Sequence, residues 1–186
     1  IVNKAVEAGL TLIKSLTLNP LIQGFQEYET NLNSIQTIMA NTGAEIKVVN
    51  KYLDELNEYS DLTIYSFSQM AQNIGRFTAA GVELEEATVA IKGMANTAAL
   101  TGANAQQLST AMYQMSQALS TGTIRLMDWR SLENANMGTE NMRMAILATA
   151  EATGEAGDVI KGITEGTLNF RDSLAEGWLT ADIFTD

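Results

Sequence analysis

The chain contains no cysteine and no histidine, and proline occurs once, at Pro20. Without cysteine there is no disulfide framework, no zinc–thiolate site and no thiol nucleophile, and the redox compartment is left unmarked. Without either residue, nucleophilic catalysis of the Ser-His-Asp or Cys-His type is excluded. A Ser-Lys pair stays chemically open, but no local motif supports one. A metal would need oxygen ligands alone, and no EF-hand loop is present. Gly93, Gly102, Gly122 and Gly138 are not followed by Gly-Lys-Ser/Thr, so none belongs to a phosphate loop. Paired carboxylates occur, as at Asp54-Glu55 and Glu85-Glu86. In an acidic helical chain these are most simply solvated surface, and no stretch predicts the facing carboxyls that a glycosidase needs. No catalytic, cofactor-binding or metal-ligating residue is assigned.

Positive charge is scarce as well. Lys and Arg number 11 against 22 Asp and Glu, a formal net charge of -11. That balance repels phosphate backbones and argues against nucleic acid as a main partner. Long apolar runs are also missing: no window of roughly eighteen residues is apolar enough to span a bilayer, and no signal peptide is visible. The chain opens on Ile1 and is expected to be a piece of a longer protein, truncated at its C-terminal end.

What is present favours helix. Hydrophobic residues make up 46% of the chain, too many for a disordered segment. Alanine and methionine are plentiful, and both lose little side-chain entropy in a helix. Few stretches alternate β-branched residues. The expected fold class is all-α: a compact multi-helix domain of glycine-punctuated amphipathic helices with an N-terminal helical arm.

In order, Val2, Val6, Leu10, Ile13 and Leu16 suggest a helix over 1–18, interrupted at Asn19-Pro20. A second helix from Pro20 carries Phe25, Tyr28, Leu32, Ile35 and Met39. The plainer reading of this narrow stripe is packing within its own domain; a coiled-coil seam is the alternative. Thr42 and Glu45 have capping-box spacing. Ile46, Val49, Leu53 and Leu56 line the helix that follows, up to Ser60-Asp61. Leu62 to Ala80 places Phe67, Met70, Ile74 and Phe77 on one stripe, closed by Gly81. Glu83, Glu85 and Glu86 suit the positive end of the next helix dipole, and Ala87, Ala90, Ile91, Met94 and Ala98 form its apolar face. After Thr101-Gly102, Asn104 and Gln107 have capping-box spacing. Leu108, Ala111, Met112, Met115, Ala118 and Leu119 then make a clear amphipathic face.

Past Thr121-Gly122, Asp128 suits the N-cap of a short helix placing Trp129 and Leu132 on one side, with Gly138 as its C′ residue. A helix over 140–152 is expected to face inward through Met142, Ala145, Ile146 and Thr149. Residues 153–162 suggest a loop or weak helix. A last amphipathic helix is expected to carry Ile163, Phe170, Leu174 and Trp178, and Thr180 has the character of a further helix cap.

The informative feature is charge-free. No charged residue lies between Gly93 and Ile124, and seven of the nine methionines fall from Met94 to Met144. Gln, Asn, Ser and Thr interrupt the apolar residues there, which excludes a membrane span. Neutral outer faces and adaptable methionines suit helices covered by the same chain or by partner subunits.

The run GVELEEATVAIKGMANTAALTGANAQQLSTAMYQMSQALSTGTIRLMDWRSLENANMG resembles the tape-measure domain of tailed-phage tail tape measure proteins. The segments Ala111 to Leu119, Asp128-Trp129 to Gly138, Asn169 to Leu174 and Trp178-Leu179-Thr180 carry the likeness, over roughly two-thirds of the chain. The spacing reads residues 1–60 as an N-terminal helical arm or helical hairpin, to which the likeness adds little, and the resemblance implies 61–186 as a tape-measure-like helical domain. It implies a virion structural protein of a phage, prophage or phage-like tail machine. Such proteins sit in the tail-tube lumen, after assembly in the host cytoplasm, and set tail length. The implied partners are further tape measure chains, tail-tube and tail-tip proteins, and tail assembly chaperones. The residues expected to carry structural contacts are Leu108, Met112, Met115, Leu119, Asp128, Trp129, Leu132, Gly138, Phe170 and Trp178. The competing expectations are a cell-wall hydrolase module or a membrane-perturbing helical protein used in genome entry. A helical ruler needs long unbroken helix, at about 1.5 Å per residue. The repeated breaks instead predict a folded helical part attached to one.

Overall fold

Helix α1 (Phe25–Thr42) is the first element of the computed structural model, which describes residues 25–154 and 156–185, with side chains from 33 onward. The helix expected over 1–18, its Asn19-Pro20 break and the side chains of Phe25, Tyr28 and Leu32 lie outside the described residues. After α1 come α2 (Ile46–Ser60), α3 (Phe67–Ala79), α4 (Leu84–Thr101), α5 (Ala105–Ser120), α6 (Leu126–Asn134) and α7 (Glu140–Thr153). Shorter pieces follow: α8 (Gly157–Thr164), α9 (Phe170–Ser173), a 3-10 turn (Leu174–Glu176) and α10 (Ala181–Thr185). The described residues are all-α. Their sole β pairing is an isolated antiparallel bridge between Thr123 and Thr180. Contacts divide the chain into two compact units, Ile1–Lys92 and Gly93–Asp186, with the boundary inside α4.

In the first unit, α1 and α3 share the most extensive packing, and α2 packs on both. Gly75 lies beside Thr37, where an added Cβ would meet Cγ2 at an ordinary 3.5 Å, and Asn41 Nδ2 donates to the Gly75 carbonyl at 3.2 Å. The buried positions follow helical periodicity: Val49, Leu53 and Leu56 on α2, and Phe67, Met70, Ile74 and Phe77 on α3, are all within 4% of complete burial. On α1 the inward residues are Ser34, Ile35 and Ile38, while Met39 is only half-buried. Lys92 and Glu55 form an ion pair at 2.7 Å.

Two boundaries differ from the sequence expectation. Thr42 does not cap α2. It ends α1, where its hydroxyl donates to Ile38 O at 2.8 Å and accepts from Ala44 N–H at 3.1 Å. Glu45 is the N-cap of α2 and makes no side-chain cap bond. Residues 62–66 are not helical. Ser66 caps α3 by accepting from Gln69 N–H at 3.3 Å, and Leu62 and Ile64 are left 84% and 73% exposed.

In the second unit, α5 packs against α6 and α10, while α7 packs against α8 and α10. The expected capping box forms at the start of α5. Asn104 Oδ1 accepts from Gln107 N–H, and Gln107 Oε1 accepts from Asn104 N–H, both at 2.9 Å. Gly122, at φ +82°, turns the chain, and Ile124 N–H donates to Leu179 O at 2.8 Å beside the Thr123–Thr180 bridge. Thr180 then caps α10 by accepting from Ile183 N–H at 3.3 Å.

Two further expectations are corrected here and one is narrowed. The inward residues of α7 are Ile146, Leu147 and Ala150; Ala145 is exposed. Of the loop or weak helix expected over 153–162, the structure has a helix, from 157 to 164. The single helix expected from Ile163 to Trp178 is interrupted twice, by left-handed Gly166 (φ +74°) and Gly177 (φ +72°), although Phe170, Leu174 and Trp178 are all buried. Gly166 follows the end of α8 and Gly177 closes the 3-10 turn; only glycine enters that region without steric cost.

Candidate interaction surface

Helix α5 has two faces of different chemistry. Its capping box fixes where the helix begins, and the 3-4 spacing then turns Leu108, Ala111, Met112, Met115, Ala118 and Leu119 inward, none more than 3% exposed. The opposite stripe is Gln106, Thr110, Tyr113, Gln117 and Ser120, all exposed and all uncharged. Its side chains bond along the helix. Gln106 Nε2 donates to Thr110 Oγ1 at 3.4 Å, and Gln117 Nε2 donates to Tyr113 Oη at 3.0 Å. Ser120 Oγ donates to Gln117 O at 2.7 Å. Tyr113, the largest member of the stripe, is 43% exposed. In the same unit, Asn96, Ala99 and Leu100 of α4 are exposed, Leu100 almost completely.

A second cluster joins α6, α9 and the 3-10 turn. The Trp129 and Phe170 rings meet edge-on at 4.9 Å, and those of Phe170 and Trp178 at 5.8 Å. Both indole N–H groups are satisfied, as buried tryptophans require. Trp129 Nε1 donates to Glu133 Oε1 at 2.8 Å, and Trp178 Nε1 donates to Ser173 Oγ at 3.0 Å. Arg171 clamps the same Glu133 carboxylate, with Nε on Oε1 at 2.9 Å and an Nη on Oε2 at 2.7 Å. The Arg143 guanidinium stands 5.8 Å from the Phe170 ring centre. The cluster is filled by its own side chains, so its chemistry is cohesion.

Leu108, Met112, Met115 and Leu119 thus converge on the inside of the second unit, and Trp129, Leu132, Phe170 and Trp178 are buried there too. Asp128 and Gly138 occupy roles other than those read from the sequence. Arg125 is the N-cap of α6, and a guanidinium has no acceptor to offer a backbone amide. Asp128 lies three residues in, and its carboxylate accepts from the Arg125 N–H at 2.8 Å. Asn136, at φ +61°, takes the left-handed C′ position. The Met137 and Asn136 N–H groups then return to Leu132 O at 2.7 Å and Glu133 O at 2.9 Å. Gly138 is required by proximity instead. A Cβ there would stand 2.5 Å from Glu133 Cγ and 3.1 Å from Glu133 backbone atoms.

The neutral outer face of α5 was read from the sequence without naming its residues, and the Glu133–Arg171 clamp was not singled out. The 4-3-4-3 spacing of neutral residues was a usable signal for the first. The clamp joins residues far apart in the chain, and no local pattern announces it. Elsewhere, a groove in the first unit is lined by Ala44, Val48, Tyr52, Glu83 and Glu85. Burial, and then a hydrogen bond to Glu85, push the Tyr52 hydroxyl above its ordinary pKa. Among the described residues no group of His, Cys, Asp and Glu could hold a metal ion, and no helix is long and apolar enough to cross a membrane.

Compared with known proteins, residues 23–186 match the family model described as tape measure protein. No curated protein and no solved structure matches the chain.

Proposed function

The chain belongs to the tape measure protein family, a structural family of phage proteins and not a family of enzymes, and from that premise we propose that it acts in tail assembly and length determination through helix–helix contacts. Membership implies a place in the phage virion tail. Within that place, our reading is residence in the tail-tube lumen after assembly in the host cytoplasm. The partners are copies of the chain, tail-tube and tail-tip proteins, and tail assembly chaperones.

One observation carries the mechanism. The longest helix described at both ends, α4, has 18 residues, or about 27 Å at 1.5 Å per residue. It is followed by left-handed Gly102. Chain folded this way contributes little length per residue. The reading is therefore a packed helical module joined to a ruler, with Leu108, Met112, Met115, Leu119, Trp129, Leu132, Phe170 and Trp178 holding it in shape for its partners. The test is electron microscopy of particles from a phage carrying Met112→Asp and Met115→Asp in this protein. Loss of assembled tails is expected; tails of normal number and length would overturn the reading.

A further inference from the structure

We propose that the outer stripe of α5 is a self-complementary docking face for a second copy of this chain, with the two α5 helices antiparallel across a two-fold axis at Tyr113. The inference rests on the reading that the protein works through helix contacts, and it names the surface and the partner.

Charge selects the partner. Among the described helices, α5 is the one without a charged residue, and the uncharged run extends from Gly93 to Ile124. The chain carries a net charge of -11, so two copies meeting on their charged faces bring like charges together, which is costly. Contact along α5 sets no like charges face to face. A basic partner, by contrast, would favour any of the acidic faces over this one.

Spacing and side-chain chemistry set the geometry. Gln106, Thr110, Tyr113, Gln117 and Ser120 recur at 4-3-4-3 intervals, the repeat that seams two helices. Antiparallel pairing about Tyr113 brings Gln106 opposite Ser120 and Thr110 opposite Gln117 of the other copy. Each amide then faces a hydroxyl. The amide–hydroxyl pairs already made within one chain, Gln106 to Thr110 and Gln117 to Tyr113, show that these groups satisfy each other. Tyr113 meets itself at the centre, where an aromatic ring with a polar tip gives the most contact at the least entropic cost. Antiparallel alignment also opposes the two helix dipoles. One helix of 16 residues, about 24 Å long, makes a small interface. The expected association is accordingly weak and dependent on high local concentration.

The experiment uses the whole chain, whose lack of cysteine permits single-cysteine variants. Sedimentation over a concentration series is expected to show a monomer–dimer equilibrium. Raising salt from about 0.05 to 0.5 M should preserve or strengthen it, because salt screens the net repulsion. Tyr113→Glu should raise the dissociation constant at least about tenfold, about 1.4 kcal/mol, with helical content unchanged by circular dichroism. Mild oxidation should convert Tyr113→Cys to a disulfide-linked dimer faster than the control Glu58→Cys. A dimer that survives Tyr113→Glu, with the two cysteine variants equally slow, would overturn this face while leaving helix-mediated assembly standing. A chain that stays monomeric at every concentration would overturn the proposal, whatever the phage bearing the Met112 and Met115 substitutions shows.

Discussion

Helices α2 and α5 bury their inner faces in the same way and present opposite chemistry outward. Val49, Leu53 and Leu56 on α2 are fully buried, and Leu108, Met112, Met115 and Leu119 on α5 nearly so. Outside, α2 exposes Lys47, Lys51, Asp54 and Glu58, while α5 exposes Gln106, Thr110, Tyr113 and Gln117. The inner faces supply the hydrophobic driving force, which is indifferent to the surface behind it. The outer faces therefore carry information about neighbours: α2 is built for water, and α5 for a neutral surface.

The sharpest way to break this comparison is to charge the two interiors. Met112→Asp with Met115→Asp on α5, and Leu53→Asp on α2, each place an unpaired carboxylate where water is excluded, at several kcal/mol per group. Against a total stability of about 5–15 kcal/mol, the expected result is loss of the cooperative thermal transition of the unit concerned. An intact transition in either variant would show that its inner face is misassigned. Truncation asks the same question more gently. Leu53→Ala and Leu108→Ala should each cost about 2–5 kcal/mol in denaturant unfolding, and a cost below 1 kcal/mol at one of them would separate the helices. Gly138→Ala sharpens the contrast between local and tertiary causes. With a Cβ 2.5 Å from Glu133 Cγ, a loss of about 1–3 kcal/mol is expected, together with disturbed fluorescence from Trp129, whose indole N–H donates to Glu133. The smallest effects belong to the outer faces. Gln117→Glu and Glu58→Gln should each leave folding stability within about 0.5 kcal/mol of the parent, so any further consequence of Gln117→Glu must be sought in association.

Much of the fold was legible because its causes are local. Asn104 and Gln107 form their box with no element intervening, and the inner stripes of α2, α3, α4 and α5 follow from spacing alone. The same spacing failed at Thr42 and Glu45. There Gly43, at φ +65°, ends α1 immediately after Thr42, so the threonine hydroxyl serves the old helix and not the new one. At the end of α6, asparagine took the left-handed position that glycine would have suited. Asn136 tolerates that geometry better than most residues, while Gly138 is held by a contact with Glu133 that no local pattern encodes. Of the surface now proposed for docking, the absence of charge was visible beforehand. The side of α5 it covers is the one away from the inner stripe that spacing marks out, Leu108, Met112, Met115 and Leu119, all of them buried.

The bridge between Thr123 and Thr180 bears on the order in which the molecule is made. Contacts of the first unit become available once Lys92 has been synthesised. The second unit has to wait, because Ile124 is tied to Leu179, and α10, which packs on both α5 and α7, lies well beyond α5 in the chain. At about 5–20 residues per second on a ribosome, α5 spends seconds exposed before its closing element exists. In that interval a helix without charge is held in solution only by its glutamine, serine and threonine side chains.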